Sequence, residues 1–381
     1  MTDRVVVADV GGTNVRFARA SHDLALGDVR AYRLADFTSF EAAFTHYLGE
    51  APAENPPSAV AIGAAGQVER ARVVLTNAPY AIDADALRAL LAPGATMTLV
   101  NDLEAVAYAL PVLTNTDFDS LTPSAGDEAR ANTAAAPAPA PGLRRTGPSP
   151  APLLAVNVGT GFGAAALRPL FASSSGQLMP YAASSLAEAD STGERPSPEP
   201  AAWVASATEA GHQGEASGHA PGLAARPRDG ASAAYTATVE DVLSGRGVVA
   251  LASALDRAVG GRDADECKPE ADLSPRTAEA LFAGDDVDAV EVRRRFAAIL
   301  GATVRNLVLA HGAWRGVALT GSVIDGWLAA PQPTLDAFFK AFQATHLPAN
   351  PATAGLASVP LSHIKRPNTA LLGLAALACA R

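Results

Sequence analysis

Five short stretches of this chain bring together residue types that do chemistry: ADVGGTN (8–14), VNDLEA (100–105), NVGTGFG (157–163), TEAGHQ (208–213) and VEDVLSGRG (239–247). In the first, Gly11 and Gly12 permit positive φ and let a ligand come close to bare backbone. Successive amides in such a turn form a concave nest for anionic oxygens, and Thr13 and Asn14 add side-chain donors. Asp9, just ahead of the glycines, suits a hydrated Mg²⁺ whose other ligands are phosphate oxygens. No Gly-Lys-Ser/Thr follows, so this is not a Walker loop. Alone, the stretch reads equally well as a two-glycine hairpin. The third stretch, with Gly159, Thr160, Gly161 and Gly163, resembles a dinucleotide fingerprint, but the AAALRPL that follows reads as a strand and not as the required helix. By itself it too is only a turn. Two such turns, each between strands and in separate domains, suit a phosphate chain clamped between two lobes.

Asp102 falls at a strand-to-helix junction, where side chains at the ends of strands point into clefts. A carboxylate there can take a proton from a hydroxyl whose oxygen attacks phosphorus, and Asn101 can hold the same hydroxyl or its neighbour. Both residues are also common helix N-caps. Glu209 and His212 lie three apart and can face one ligand from a turn. They also make half a metal site, for which no third ligand follows at a convincing spacing. Glu240 stands at a helix start. Carboxylates, amides and an imidazole are the groups that pair the hydroxyls of a sugar; isolated, each is ordinary surface. In GVALTGSV (316–323), Gly321 offers bare backbone to a flat adenine ring, or Ser322 caps a following helix.

The elements that must position these groups are legible in outline. Residues 5–9, 15–20, 58–66 and 71–77 read as strands, 83–92 as a helix with Asp83 at its N-cap, and 96–110 as a strand running directly into a helix. Strands followed by alternating helix and strand make the first domain α/β. A strand-like run opens a second domain at 153–167, repeating the strand–Gly/Thr turn–strand pattern of 5–20. Helices are expected at 238–255, with a glycine turn inside, at 290–310 and at 368–380. Residues 316–325 read as a strand entering a turn. Between these lie stretches of biased composition: Ala/Pro-rich 122–152, Ser/Pro-rich 173–200 and Gly/Ala/Ser-rich 216–234.

Composition sets limits. The chain has 381 residues, 49% of them hydrophobic and 18% charged, enough for two or three domains with a large core. A formal net charge of -10 argues against non-specific nucleic-acid binding, without excluding an anion held by local amides. Two cysteines make neither a disulfide framework nor a CxxC metal site. With no apolar leader-like run and no stretch of eighteen apolar residues, the expectation is a cytoplasmic protein that does not enter a membrane.

Taken in order, DVGGTN, NDLEAVAYALP, NVGTGFG, TEAGH, EDVLSGRG and GVALTGSVI resemble the bacterial-type glucokinases, of the actin/sugar-kinase/Hsp70 ATPase superfamily. The resemblance covers most of the chain outside the biased stretches. It implies an α/β, two-lobed actin-like ATPase (ribonuclease H-like) fold with a ligand cleft between the domains. It divides the chain into a small α/β domain, 1–111, joined by a C-terminal helix, 366–381, and a large α/β domain, 112–365, with insertions near 124–150 and 173–200. The implied activity is ATP-dependent phosphorylation of D-glucose at its 6-hydroxyl, as in glycolysis, with ATP and Mg²⁺ as cofactors and a homodimer as the assembly. By position, Asp102 matches the general base. Asn101, Glu209, His212 and Glu240 match the sugar contacts. Gly11, Gly12, Thr13 and Asn14 match the first phosphate loop, and Asp9 the acid near the metal. Gly159, Thr160, Gly161 and Gly163 match the second phosphate loop, and Gly321 the adenosine motif. Three places depart from the family pattern. Ser322 stands where a second glycine is usual, GAAGQV (63–68) lacks a Pro and a Thr, and EAGHQGE (209–215) replaces Glu-Gly-Gly-His. The cysteine-rich zinc group of related kinases is disfavoured by two lone cysteines. Kinases for other hexoses, and non-catalytic sugar-binding regulators on the same fold, carry similar hydroxyl-pairing residues.

Overall fold

Runs of Val, Ile, Leu and Ala too continuous for an exposed strand build two mixed sheets, each around one strand buried along almost its whole length. The computed structural model describes residues 4–50, 56–75, 80–122, 151–172, 178–180, 202–208, 238–260, 277–344, 353 and 355–380. The first sheet runs β3 (Leu26–Arg33), β2 (Asn14–Ala20), β1 (Val5–Val10), β4 (Ala59–Ala64), β8 (Thr96–Asn101). β1 and β2 form an antiparallel hairpin closed by Val10 opposite Val15, while β1, β4 and β8 are parallel. A small sheet of β5 (Val68–Glu69), β6 (Arg72–Val74) and β7 (Ala81–Asp83) follows β4. The second large sheet runs β12 (Leu178–Pro180), β11 (Phe162–Ala172), β10 (Leu153–Val158), β14 (Gly316–Thr320), β15 (Leu361–Ile364), β9 (Phe118–Ser120), and β13 (Ala202–Thr208) also pairs with β11.

The repetition seen in the sequence is topological. β10 and β11 form an antiparallel hairpin closed by Val158 opposite Phe162, and β10 is parallel to β14, as β1 is to β4. In both β1 and β10 the first four residues and the sixth are buried, and only the fifth, Asp9 or Asn157, is partly open. Apolar side chains on both faces suit a strand covered on both sides, and one polar residue near the end marks where the strand leaves the core.

Helices cover the sheets. α1 (Phe40–Glu50) buries Phe40, Phe44 and Tyr47 against Phe17 of β2, whose ring lies 4.9 Å from that of Tyr47. α2 (Ala84–Arg88) begins after Asp83, which caps it by accepting from the N–H groups of Asp85 and Ala86. α3 (Asp102–Ala109) follows β8 and packs on one side against the C-terminal helix (Thr369–Cys379) and on the other against β10, β11 and β13. The C-terminal helix in turn packs on β1 and β4, so α3 lies between the two sheets. α4 (Val239–Val242), α5 (Gly245–Gly260), α6 (Ala278–Ala283), α7 (Val287–His311), α8 (Ser322–Leu328) and α9 (Leu335–Gln343) cover the second sheet. α7 is bounded as its sequence requires: Asp286 accepts from Ala289 N–H at 2.8 Å at the start, and Gly312, at φ 65°, ends it in the left-handed conformation.

Where the elements differ from the sequence reading, the reason is local. Residues 316–325 do not pass from strand to turn. A helix, α8, starts immediately after Gly321, whose φ of 107° makes the sharp change of direction. Ser322 is the first residue of that helix and not its cap, since the capping position is Gly321, which has no side chain to accept with. The strand expected at 71–77 is short, Arg72–Val74, and residues 76–79 lie outside the described residues. Strands β3, β13 and β15 and helices α1 and α9 were not marked in the sequence.

Candidate active site

The parallel strands β1, β4 and β8 end side by side, and the chemistry-bearing residues stand at those ends. Asp9 is opposite Gly63, and Ala64 is opposite Asn101. Asn101 then caps α3: its Oδ1 accepts from Leu103 N–H at 2.8 Å, and Glu104 Oε2 accepts from the Asn101 N–H at 3.2 Å, a reciprocal capping box. The Asn101 amide nitrogen donates to the Gly66 carbonyl at 3.0 Å. Asp102 is therefore the first residue of the helix, not its cap, and it is half-buried. Its Oδ1 accepts from Leu103 N–H at 3.0 Å, a favourable place for an anion at a helix start. Burial pushes its carboxyl up to about 6, and the nearby charge of Asp9 adds to the rise. Burial also raises Asp9 above the ordinary carboxylate range, against the pull of Arg16, whose guanidinium lies 3.5 Å away.

The first turn is a tight loop in which Gly11 N–H donates to the Asn14 carbonyl at 2.9 Å and Leu34 N–H to that of Thr13, also at 2.9 Å. Thr13 and Asn14 are exposed. The expected use of the glycines is corrected here. Among the described residues the glycines at positive φ are Gly66, Gly94, Gly312, Gly316 and Gly321, and neither Gly11 nor Gly12 is one of them. A Cβ on Gly11 would meet nothing nearer than the Asn14 carbonyl oxygen at 3.7 Å, an ordinary contact.

The second turn is built differently. Gly159 N–H donates to the Gly161 carbonyl at 2.9 Å, and the Gly159 carbonyl accepts from Gly245 N–H, the start of α5, at 2.9 Å. Glu240 lies beneath the turn. Its Oε2 accepts from Phe162 N–H at 3.3 Å, its Oε1 pairs with Arg246 at 2.5 Å, and a Cβ on Gly161 would stand 3.0 Å from Oε2. Ser244, fully buried, donates to the Glu240 carbonyl at 2.7 Å and accepts from Gly247 N–H at 3.1 Å. A Cβ on Gly163 would sit 3.1 Å from Leu103, so the second turn rests on the first turn of α3. Beyond the turn is a cavity of about 390 Å³ lined by Gly159, Thr160, Arg246, Phe282 and Ser322 among others. Gly321, which precedes Ser322, has no room for a side chain: a Cβ there would stand 2.4 Å from the Val158 carbonyl oxygen and 2.5 Å from Asn157 Oδ1.

The structure thus brings Asp9, Asn101 and Asp102 together and sets the second turn against the same helix. It places Glu240 as the support of the second turn. Glu209 and His212 lie outside the described residues. Ser244 and Gly245 were passed over in the sequence reading, although a Ser-Gly pair following a short helix is the signal for a side-chain brace and a new helix start. Among the described residues no group of three or more His, Cys, Asp or Glu is arranged to hold a metal, and no helix is long and apolar enough to cross a membrane.

Comparison with known proteins gives a family. The family model described as Glucokinase matches residues 6–174 and 196–381. The chain is similar to the glucokinase of Paramagnetospirillum magneticum, with 29% identity over 380 residues, 99% of this chain and 98% of that one. It is similar to the glucokinase of Cupriavidus metallidurans at 39% identity over 118 residues, a match spanning 30% of this chain and about a third (35%) of that relative's length. Among solved structures, a glucokinase from an Antarctic psychrotroph superposes with a TM-score of 0.66 at 20% identity, covering 99% of both chains. The fold is the mixed-sheet α/β architecture of the actin-like ATPases, as the ordered stretches implied.

Proposed function

The chain belongs to the glucokinase family, and from that premise we propose that it transfers the γ-phosphoryl group of ATP to the 6-hydroxyl of D-glucose, giving glucose 6-phosphate and ADP. The observation that carries the reading is the position of α3. It starts at Asp102, next to Asp9 at the foot of the first turn, and presses Leu103 against Gly163 of the second. One helix start therefore meets both phosphate-type turns.

On this reading the sugar 6-oxygen attacks phosphorus, the bond from phosphorus to the β,γ-bridging oxygen breaks, and Asp102 takes the hydroxyl proton. Backbone amides of the two turns hold the phosphate oxygens in place while charge redistributes. Asn101, Glu209, His212 and Glu240 are carried over as sugar contacts; Glu240 also fixes the turn at Phe162. The cavity beyond the second turn, with Phe282 and Ser322 in its wall, suits the adenosine, and Gly321, carried over as the adenosine position, directly precedes Ser322. Asp9 is a single carboxylate at the turn, which fits a Mg²⁺ that arrives with the nucleotide and keeps phosphate and water ligands, rather than one caged by protein groups. That ion would neutralise phosphate charge. A cytoplasmic homodimer remains the expected setting.

Asp102→Asn keeps the shape and removes the base. Turnover should fall about a thousandfold, within the range a positioned general base supplies, with the melting temperature at neutral pH kept or raised, since the amide carries no buried charge. Turnover near that of the unaltered chain would end the assignment of Asp102. Running the coupled ADP-release assay on glucose, mannose, fructose and glucosamine separates a glucokinase from a kinase for another hexose, and sugar binding without ADP release would mark a non-catalytic regulator.

A further inference from the structure

Among the described residues the outer edge of β13 is not paired to another strand. β13 pairs with β11, from Thr208 opposite Ala164 to Ala202 opposite Leu170. Amides alternate direction along a strand, so every second N–H faces away from the partner. Among the described residues two of these, at Ala205 and Ala207, meet α3. Ala205 N–H donates to the Tyr108 hydroxyl at 3.2 Å, and Ala207 N–H to Glu104 Oε1 at 3.1 Å. The match is geometric: four residues of helix rise about 6 Å, and two residues of strand span about 6.7 Å. Residues 104 and 108 are thus spaced like the two outward amides, with helix and strand antiparallel.

Glu104 has a second engagement. While Oε1 holds Ala207, Oε2 accepts from Asn101 N–H at 3.2 Å. One carboxylate ties the backbone of Asn101, which precedes Asp102, to β13, whose last residue, Thr208, donates from its hydroxyl to the Ala164 carbonyl at 3.3 Å. We propose that Glu104, assisted by Tyr108, is a positioning residue for the sugar. It locks Asn101 and Asp102, at the start of α3, in register with the end of β13. The proposal rests on the sugar-kinase reading above. Glu104 touches no reacting atom; it fixes the backbone that carries Asn101 and Asp102. A carboxylate suits this task because it accepts from two amides at once, which a hydroxyl on a short side chain cannot reach to do.

The test uses Glu104→Ala, Glu104→Gln and Tyr108→Phe in the full chain. In Glu104→Ala, hydrogen exchange over 202–208 should quicken about tenfold while 153–158 is unchanged, since only the outer edge loses its acceptor. The KM for sugar should rise about tenfold, the scale of one charge-assisted hydrogen bond, with the KM for ATP within about twofold. Glu104→Gln, whose one carbonyl oxygen can accept from Ala207 or from Asn101 but not from both, should give a sugar KM between those of Glu104→Ala and the unaltered chain. Tyr108→Phe should give the smaller rise of a neutral bond, about threefold. Unchanged exchange over 202–208 overturns the clamp. Faster exchange with an unchanged sugar KM, or with both KM values raised alike, overturns the positioning role. Failure of the unaltered chain to phosphorylate any hexose overturns the sugar-kinase reading and the positioning role with it, an outcome distinct from an active enzyme whose sugar KM ignores Glu104.

Discussion

The two turns share a topology and differ in what holds them. Each closes a hairpin on a strand whose fifth residue is its one partly open position, and each hairpin strand has a parallel neighbour on its other side. Around the second turn the protein fills the space: Glu240 under Gly161, Leu103 against Gly163, and the α5 amide on the Gly159 carbonyl. Around the first, Gly11 has only an ordinary contact within its own loop. The fifth residue differs too, an acid paired with Arg16 in one case and a neutral amide in the other. The same local pattern therefore uses glycine for opposite reasons. At Gly161 and Gly163 of the second turn, neighbours of the protein itself crowd a side chain, whereas Gly159 has only an ordinary contact at 3.7 Å. At Gly11 of the first they do not, and on the proposed reading the glycine there serves the close approach of a ligand to the backbone.

The largest expected effect breaks the better-supported turn from beneath. In Gly321→Ala the new methyl would meet the Val158 carbonyl and Asn157 at distances no real Cβ tolerates, at a φ of 107° that L-residues avoid. Backbone strain and overpacking together should cost about 3 kcal/mol, read by urea unfolding, and nucleotide binding should be lost with it. A loss of less than about 0.5 kcal/mol would mean that β14 and β10 yield freely, and that the second turn is not held as rigidly as described.

A second effect arises from the acid in β1, which has no counterpart in β10. The Asp102 carboxyl is raised to about 6 chiefly by burial and further by the charge of Asp9. Because the folded value lies above the ordinary one, the folded state keeps this proton longer than the unfolded chain. Its contribution to stability is present below pH about 4 and is lost as pH rises to about 6. On the proposed reading function runs the other way, since Asp102 must be ionised to act as the base. Glucose affinity measured calorimetrically without nucleotide should climb about tenfold between pH 5 and pH 7, as a site titrating near 6 requires. In Asp9→Asn the midpoint should move down, because one of the two causes is gone. A midpoint already in the ordinary carboxylate range in the unaltered chain would show that Asp102 is solvated and not enclosed.

Much of this was legible in residue order. The strand–turn–strand echo, the junction at Asn101 and Asp102, and the capping Asp83 are local patterns, and the structure keeps them. What the sequence hid was supplied by distant partners. Glu240 reads as one more hydroxyl-pairing carboxylate until Phe162 N–H and Arg246 are found on it. β13 carries no turn signal of its own and borders a stretch of biased composition, so nothing nearby announces that Glu104 and Tyr108, about a hundred residues earlier, complete its edge. Glycine is ambiguous in the same way. The letters at 11, 12, 159 and 161 permit positive φ, yet none adopts it, while Gly321, read only as bare backbone, needs it.

The smallest effect is the most direct check on the two turns, and it sets alanine at Gly11 against alanine at Gly161. Replacing glycine by alanine where the backbone allows it stiffens the unfolded chain, a stabilisation of about 0.4–1 kcal/mol. At Gly11 nothing opposes that gain, because the nearest atom is at van der Waals distance and φ is not in the left-handed region. Gly11→Ala should leave stability unchanged or slightly raised while the KM for ATP increases severalfold, the methyl occupying space that the phosphates approach. At Gly161 the methyl meets the end of the Glu240 side chain at 3.0 Å. That side chain can swing aside, but only by releasing Phe162 N–H, so a net loss of about 1 kcal/mol is expected. Thermal unfolding and nucleotide kinetics on the two variants then separate the roles: one turn pays in binding, the other in stability. Equal destabilisation by both would show that the first turn is packed by the protein as tightly as the second, and that its glycines say nothing about a ligand.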